Sequence, residues 1–459
     1  MKRRRLLILG GLGGLTAVGV TGIASRSSTT QSWMRSISRT VDPSRQAATT
    51  TLQVDWGTTL AQATPYLFGS NDYEITKPEA LEDAKYKQIL KQLDLRLIRI
   101  HDGDLSDHWS NAKTKTWDEA RLKAAFDAYY PHNPTLVQNI PRWTQWMRQD
   151  KQGLLDISEY DRYAQFCADL VRILNIKQQR RIQFWEPFNE RDDIYENAGK
   201  LDELWKIYNL AATAMKAVDP TIKIGGPILI YDAVGRLESF LQACGSNVDF
   251  ISWHRYASGD AKEPTDSIMD FTPNFGNQVR TFREVTNRMI PNRPIPLLLS
   301  EYNINYTWDS GENRQNTHIG AVWFASALKH LGEAGIEMAA SWHLKDGIYG
   351  MIDPDNNLRP AATVFEWGRR YFVGSIVKTQ SNHRFVEGFA VRQENGDRSL
   401  LLINKSAKAV RLGLTMNPSI QSQPTARLLS EQGIKEETIA IDTPIELPAY
   451  SLILLQFPA

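Results

Sequence analysis

From about residue 64 to residue 372, short apolar runs alternate with longer amphipathic stretches. Runs at 66–70, 95–101, 135–140, 181–185, 223–226, 249–254, 296–300 and 338–342 have strand length and β-forming composition. Between them, Tyr160, Tyr163, Ala164, Cys167 and Leu170 recur at helical spacing, which predicts a helix over 160–174. The stretches 202–218 and 317–332 show the same period. A helix after each of eight strands predicts an α/β fold, a (β/α)8 TIM barrel. A doubly wound open sheet is the competitor, but no glycine-rich phosphate loop opens a helix. Gly225-Gly226-Pro227 follows a strand yet lacks both nucleotide-binding spacings.

After Phe372 the rhythm changes to strands alone, at 385–392, 399–404, 410–415, 425–429, 438–441 and 451–457. Turn residues such as Glu394-Asn395-Gly396-Asp397 separate them. This predicts a C-terminal β-sandwich domain. An isolated strand at 52–56 is expected to join it, giving a barrel over 58–372 and a sandwich over 51–57 plus 373–459.

The N-terminus reads as an export segment. Lys2 and Arg3 to Arg5 precede an uncharged, glycine-rich run over 6–24, and Gly22-Ile23-Ala24 offers small residues for cleavage. A twin-arginine signal, a Sec signal and an uncleaved anchor are the alternatives. A periplasmic or extracellular location follows, with membrane contact only through this segment if it stays attached. Residues 25–50, with twelve Ser or Thr, read as a flexible tether.

Composition narrows the function by exclusion. The chain has 459 residues, 53 basic and 52 acidic, for a net charge of +1. Without residues 1–24 it holds 49 basic and 52 acidic residues, a net of −3. Neither balance makes a polyanion-binding field, so no nucleic-acid partner is expected. Two cysteines, Cys167 and Cys244, cannot build a disulfide framework or a four-cysteine metal site. Buried free thiols are the default, and a single bridge stays open.

In such barrels functional side chains sit at the C-terminal ends of strands. The fourth predicted strand runs into Glu186-Pro187-Phe188-Asn189-Glu190, and the seventh into Ser300-Glu301-Tyr302-Asn303. Either glutamate alone would read as a rim salt bridge. Together they form a pair in which one can hold a proton while the other stays charged. Glycosidic bond cleavage needs that division: an acid for the leaving oxygen and an anion for the anomeric carbon. His254 and Tyr256 share one face of strand six, and Arg99 and His101 one face of strand two.

These motifs resemble clan A glycoside hydrolases, most closely family 39, with families 51 and 79 as neighbours. The "Glu-x-Trp-Asn-Glu-Pro" pattern is matched at Glu186, Asn189 and Glu190, with Phe188 for Trp and Arg191 for Pro. Ser300-Glu301-Tyr302-Asn303, Ser252-Trp253-His254-Arg255-Tyr256, Arg99-Ile100-His101 and Gly225-Gly226-Pro227 fit the other strand ends. The resemblance implies an exported retaining glycosidase acting on a β-linked polysaccharide or oligosaccharide. It implies Glu190 as general acid/base, Glu301 as nucleophile and Asn189 on the substrate 2-hydroxyl. Tyr256 or His254 would hydrogen-bond Glu301, and a carboxylate separation of about 5–5.5 Å is expected. No cofactor or metal is implied. A catalytically silent carbohydrate-binding protein and an envelope transglycosylase are the alternatives.

Other residues admit two readings. Trp342 is either a floor for the reacting sugar or rim packing. Trp143 and Trp308 are either outer sugar platforms or core and loop packing. Glu186 orients neighbours, and His101, Asp102, Asp104 and His108 are too irregularly spaced for a metal site. The stretches 257–278 and 306–316 are expected as irregular loops over the site, deciding between cleft and pocket, and so between endo and exo cutting.

Overall fold

The computed structural model describes residues 50–77, 82–129, 134–420 and 422–459. The export segment and nearly all of the tether expected over 25–50 lie outside the described residues. Eight parallel strands close into a barrel in chain order: Gly69–Asp72, Leu97–Ile100, Thr135–Asn139, Phe184–Glu186, Lys223–Leu229, Phe250–Ser258, Leu297–Asn305 and Met338–Ser341. Each overlaps one of the eight expected runs, though the run 66–70 does so only at Gly69-Ser70, because Pro65–Phe68 forms a 3-10 turn, and the run 181–185 only at Phe184-Trp185. The predicted helices appear as Tyr160–Val171, Leu201–Val218 and His318–Glu333, the last capped by the Thr317 hydroxyl on the Ile319 N–H. Among the described residues no helix is long and apolar enough to cross a membrane.

The barrel interior is layered, and the layering positions the site. Leu97, Val137, Phe250, Leu298 and Met338 form an apolar plug with Phe184 and Tyr66 packed on it. Gly225 makes room for this plug, because a Cβ there would sit 2.1 Å from the Phe250 ring. Strand residues of one parity share a face, so the next inward positions lie two residues further on. They are Arg99, Asn139, Glu186 and Ser252, all completely buried. Polar groups thus replace apolar ones halfway up the barrel. On strand seven the register against both neighbours shifts after Leu299. That irregularity takes Glu301, rather than Ser300, into register with His254.

Of the remaining described strands, Ser110–Asn111 and Thr116–Trp117 pair as a small hairpin after strand two, and the other nine form one continuous sheet. Thr50–Ala63 lies inside it, antiparallel to Gly374–Ser381 and parallel to Val410–Asn417. The sheet closes over its own core of Leu52, Val54, Trp56, Leu402, Ile453 and Phe457, among others. Trp56 and Phe457 sit four strands apart in sheet order, roughly 19 Å in a flat sheet. Their rings nevertheless meet at 6.5 Å, so the sheet curls into a sandwich-like layer. The alternate residues Leu401, Ile403, Leu452 and Leu454 join the barrel's core cluster.

Two local expectations are corrected. The stretch 438–441 is not a strand; the chain pairs through Gly433–Glu437 and Ile445–Leu447 instead. The stretch 257–278 is mostly regular, because strand six runs to Ser258 and helices Thr265–Phe271 and Pro273–Met289 follow. Its Ile268, Met269 and Phe275 are buried, so apolar spacing beat the turn-forming composition. Cys167 and Cys244 are both buried free thiols.

Candidate active site

The site is built around Arg99, whose side chain is wholly buried at the barrel's centre. Its Nε donates to Glu186 at 2.7 Å, and one terminal nitrogen donates to both Asn71 and Glu301 at 2.9 Å. The other donates to Asn189 Oδ1 at 2.6 Å. One cation therefore fixes residues from strands one, four and seven. A buried guanidinium needs such partners, since burying it unpaired costs several kcal/mol, on the order of 3–5. Asn189's carbonyl oxygen is engaged by Arg99, which turns its amide N–H group toward the open side of the site.

Glu301 is nearly buried and accepts from Tyr256 Oη at 3.0 Å in addition to Arg99. Burial pushes its carboxyl above the ordinary value; His254, Arg99 and the Tyr256 hydrogen bond pull it back. Glu190 keeps 31% of its side chain open to solvent and, among the described residues, has no ion pair with a lysine or arginine. Its carboxyl is pushed up to about 7, chiefly by burial. His254 lies between the two, with Nδ1 2.7 Å from Glu190 Oε1 and Nε2 3.4 Å from Glu301 Oε1. Burial lowers His254 to about 4, so its ring is neutral at pH 7.

One donor atom from each of Glu190, His254 and Glu301 lies within 4.8 Å of the others. Among the described residues this is the only His, Cys or carboxylate group tight enough to approach a metal ion. Arg99 already places positive charge against Glu301, which opposes a cation there. The arrangement can instead hold one protonated and one charged carboxyl facing a common point.

Glu190 itself has φ +48°, the left-handed region a non-glycine residue adopts only where its surroundings enforce it. Its N–H is held by the Ile228 carbonyl at 3.2 Å, and the preceding Asn189 N–H by the Pro141 carbonyl at 2.9 Å. Arg191, in the place of the proline, donates from Nε to the Asn189 carbonyl at 3.1 Å.

The residues singled out in the sequence separate into two groups. Glu190, Glu301, Asn189, Arg99, His101, His254 and Tyr256 converge. His101 Nδ1 meets Asn139 at 2.8 Å and its Nε2 lies 3.9 Å from Glu301. Trp342 stands beside His101 at a ring distance of 5.5 Å, and the half-exposed Trp308 packs edge-on against it at 6.2 Å. Trp143 does not reach the site. It is buried between Tyr163 and Tyr195 with its N–H on the Gly153 carbonyl, so it offers no face to a sugar. His108 pairs with Asp102 and Arg142 with Asp104, so the acidic and histidine residues after strand two form a polar rim loop.

Sequence reasoning passed over Asn71, Asn139 and the His343–Asp346 pair. Asn71 donates to the Ser300 carbonyl and accepts from Arg99; Asn139 donates to Glu186. Both end a barrel strand, so the rule that found Glu190 would have found them had it been applied to amides. His343 has no such signal, since its position follows from the fold of the loop after strand eight. Its Nε2 meets Asp346 at 2.8 Å, and its ring packs on Tyr73 at 4.4 Å.

Comparison with known proteins follows this geometry. The family model for glycosyl hydrolases family 39 matches residues 165–348, a stretch holding Glu190, His254, Tyr256, Glu301 and Trp342. A β-xylosidase of Caldicellulosiruptor saccharolyticus is 31% identical over 159 residues, 33% of this chain and 32% of that protein. A β-xylosidase of Geobacillus stearothermophilus is 27% identical over 180 residues, 37% and 35% of the two chains. The matched segments thus span about a third of the length of these curated relatives. Among solved structures, a monomeric β-xylosidase from Caulobacter crescentus aligns with TM-score 0.65 and 16% identity, covering 88% of this chain and 99% of that one. A family 51 arabinofuranosidase from Xanthomonas axonopodis pv. citri aligns with TM-score 0.68 and 12% identity, covering 89% and 100%. At such identities these two likenesses show the fold. The chain is therefore similar to the glycosyl hydrolases of family 39 in sequence, and shares its barrel-plus-sheet fold with members of families 39 and 51.

Proposed function

We propose that the protein is an exported glycoside hydrolase that cleaves a β-linked polysaccharide or oligosaccharide with retention of configuration. The observation that carries this is the unequal pair: Glu301 touches a guanidinium and a phenol, while Glu190 touches only a neutral imidazole. The proton shared by the pair therefore rests on Glu190, the general acid, and Glu301 attacks the anomeric carbon as an anion.

His254 reinforces this division. With Glu190 protonated, its O–H donates to Nδ1, and the imidazole N–H is then on Nε2, facing Glu301. The opposite tautomer would turn a lone pair on the Glu301 anion. After glycosyl transfer to Glu301, Glu190 is charged and takes a proton from the attacking water. Oxygens of the pair within 4.8 Å of each other fit the short separation of retaining pairs better than the wider one of inverting pairs. The Asn189 amide, oriented by Arg99, donates to a substrate hydroxyl next to the reacting carbon. Trp342 and the exposed Trp308 supply apolar faces for sugar rings.

The export segment and Ser/Thr-rich stretch support a location outside the cytoplasm, where polysaccharide substrates lie. The similarity to β-xylosidases makes aryl β-xylosides the first substrates to try. Glu301→Gln should abolish turnover. Glu190→Gln should retain cleavage of aryl glycosides with good leaving groups but lose it on oligosaccharides, and an activated 2-fluoroglycoside should label Glu301 covalently. Full activity in both variants would overturn the assignment. Absence of a covalent adduct with intact hydrolysis would overturn retention.

A further inference from the structure

Arg191 stands directly after Glu190 and is mostly shielded from solvent. Its Nε is used by the Asn189 carbonyl. Its four terminal N–H groups have no acceptor, and no carboxylate lies within 4.0 Å, among the described residues. The fully buried guanidiniums among the described residues are all paired. Arg99 holds Glu186 and Glu301, Arg236 holds Asp192, Arg314 holds Glu312, and Arg359 holds backbone carbonyls of residues 346, 349 and 350.

A cation near Glu190 favours its ionised form, and the charges of Arg99 and then Arg191 both pull the Glu190 carboxyl down against the effect of burial. Arg142, at the end of strand three, adds positive potential that acts on Arg191 itself. A bare cation thus works against the group that must stay protonated, unless the substrate brings a negative charge to it.

We propose that Arg191 recognises a carboxylate on the sugar at the leaving-group side of the scissile bond, so that the preferred substrate is an acidic β-linked glycan. The inference rests on Glu190 being the general acid, because that assignment makes its flank the leaving-group side. The free edge of the guanidinium presents paired N–H donors that match a carboxylate. A bound carboxylate neutralises Arg191 and relieves its pull on Glu190, so binding of the right substrate also restores the acid.

The test uses the purified protein and two oligosaccharides with one glycone. In one the leaving sugar is a uronic acid; in the other it is the methyl ester of the same uronic acid. An aryl glycoside without a leaving sugar is the third substrate. The wild type should favour the acid over the ester by roughly 10- to 100-fold in kcat/KM, falling with added salt. The alkaline limb of kcat should lie at higher pH on the acid than on the ester. Arg191→Gln should bring the preference close to one, and Arg191→Lys should keep part of it. Equal wild-type rates on acid and ester, or a preference that survives in Arg191→Gln, would overturn the proposal. The acid-to-ester ratio and its salt dependence are read on the wild type, so they stand even if a variant fails to fold. Hydrolysis of the aryl glycoside separates the two readings. If it proceeds without any acid preference, only this inference fails; if the wild type cleaves none of the three, the glycosidase reading fails with it.

Discussion

The two glutamates differ in exposure and in what touches them, and that difference should be visible in a pH profile. In the proposed mechanism Glu190 is protonated to act, and burial places it at about 7. Activity should therefore fall as pH rises through about 7, and fall at the acid end as Glu301 takes up a proton. Tyr256→Phe removes a donor to the Glu301 carboxylate. The acidic limb should move to higher pH and kcat/KM should drop, by about 10- to 100-fold. An unmoved acidic limb would show that Tyr256 does not tune Glu301. Asn71→Ala should act at a distance, because Asn71 ties Arg99 to the strand-seven backbone at Ser300. At this scale the sequence was most legible where chemistry coincides with a strand end. Trp143 shows the limit: an indole after strand three looks the same in sequence whether it faces solvent or, as here, lies between Tyr163 and Tyr195.

At the scale of elements, apolar runs pointed to all eight barrel strands, although strand one is the polar, buried Gly69–Asp72 and its apolar signal lies in the turn Pro65–Phe68 just before it. The sheet was harder to read. Gly374–Ser381 carries Lys378 and Gln380 and buries only Ile376 and Val377, one on each face, so it lacks the signal that marks Ser451–Phe457. The stretch 257–278 misled because glycine, proline and aspartate cluster before an amphipathic helix. One contact between sheet and barrel joins them by charge. Lys405, fully buried, pairs with Glu387 at 2.6 Å, and Glu387 also accepts from His330 and Ser326 on the helix His318–Glu333. Glu387→Gln would leave Lys405 buried without a counter-charge, a loss of about 3–5 kcal/mol measurable by denaturant unfolding. These partners hold the folded Glu387 carboxyl below its ordinary 4.5. Its stabilisation is then full above that value and lost as pH falls toward the folded value. The Glu387→Gln variant should lose less stability than the wild type on acidification to pH 4. An equal loss in both would show that the pair carries no pH-linked stability.

At the scale of the whole molecule, barrel and sheet share one core cluster, with Phe389, Leu401 and Leu454 of the sheet packed among barrel residues. Removing residues 373–459 should therefore not release a stable barrel, and the truncated chain should be insoluble or show an early unfolding transition in calorimetry. A soluble, cooperatively folded 50–372 fragment would show the sheet to be dispensable. Among the described residues the sheet presents no residue to Glu190 or Glu301, and it meets the barrel through their shared core.

Thr50–Ala63 is an interior strand of the sheet, although it precedes every other described strand in the chain. Both of its partners, Gly374–Ser381 and Val410–Asn417, are synthesised more than 300 residues later. Throughout elongation of the nascent polypeptide this strand exposes two unpaired edges, the feature that drives edge-to-edge aggregation. A chain stopped anywhere inside the barrel therefore keeps both of these edges open.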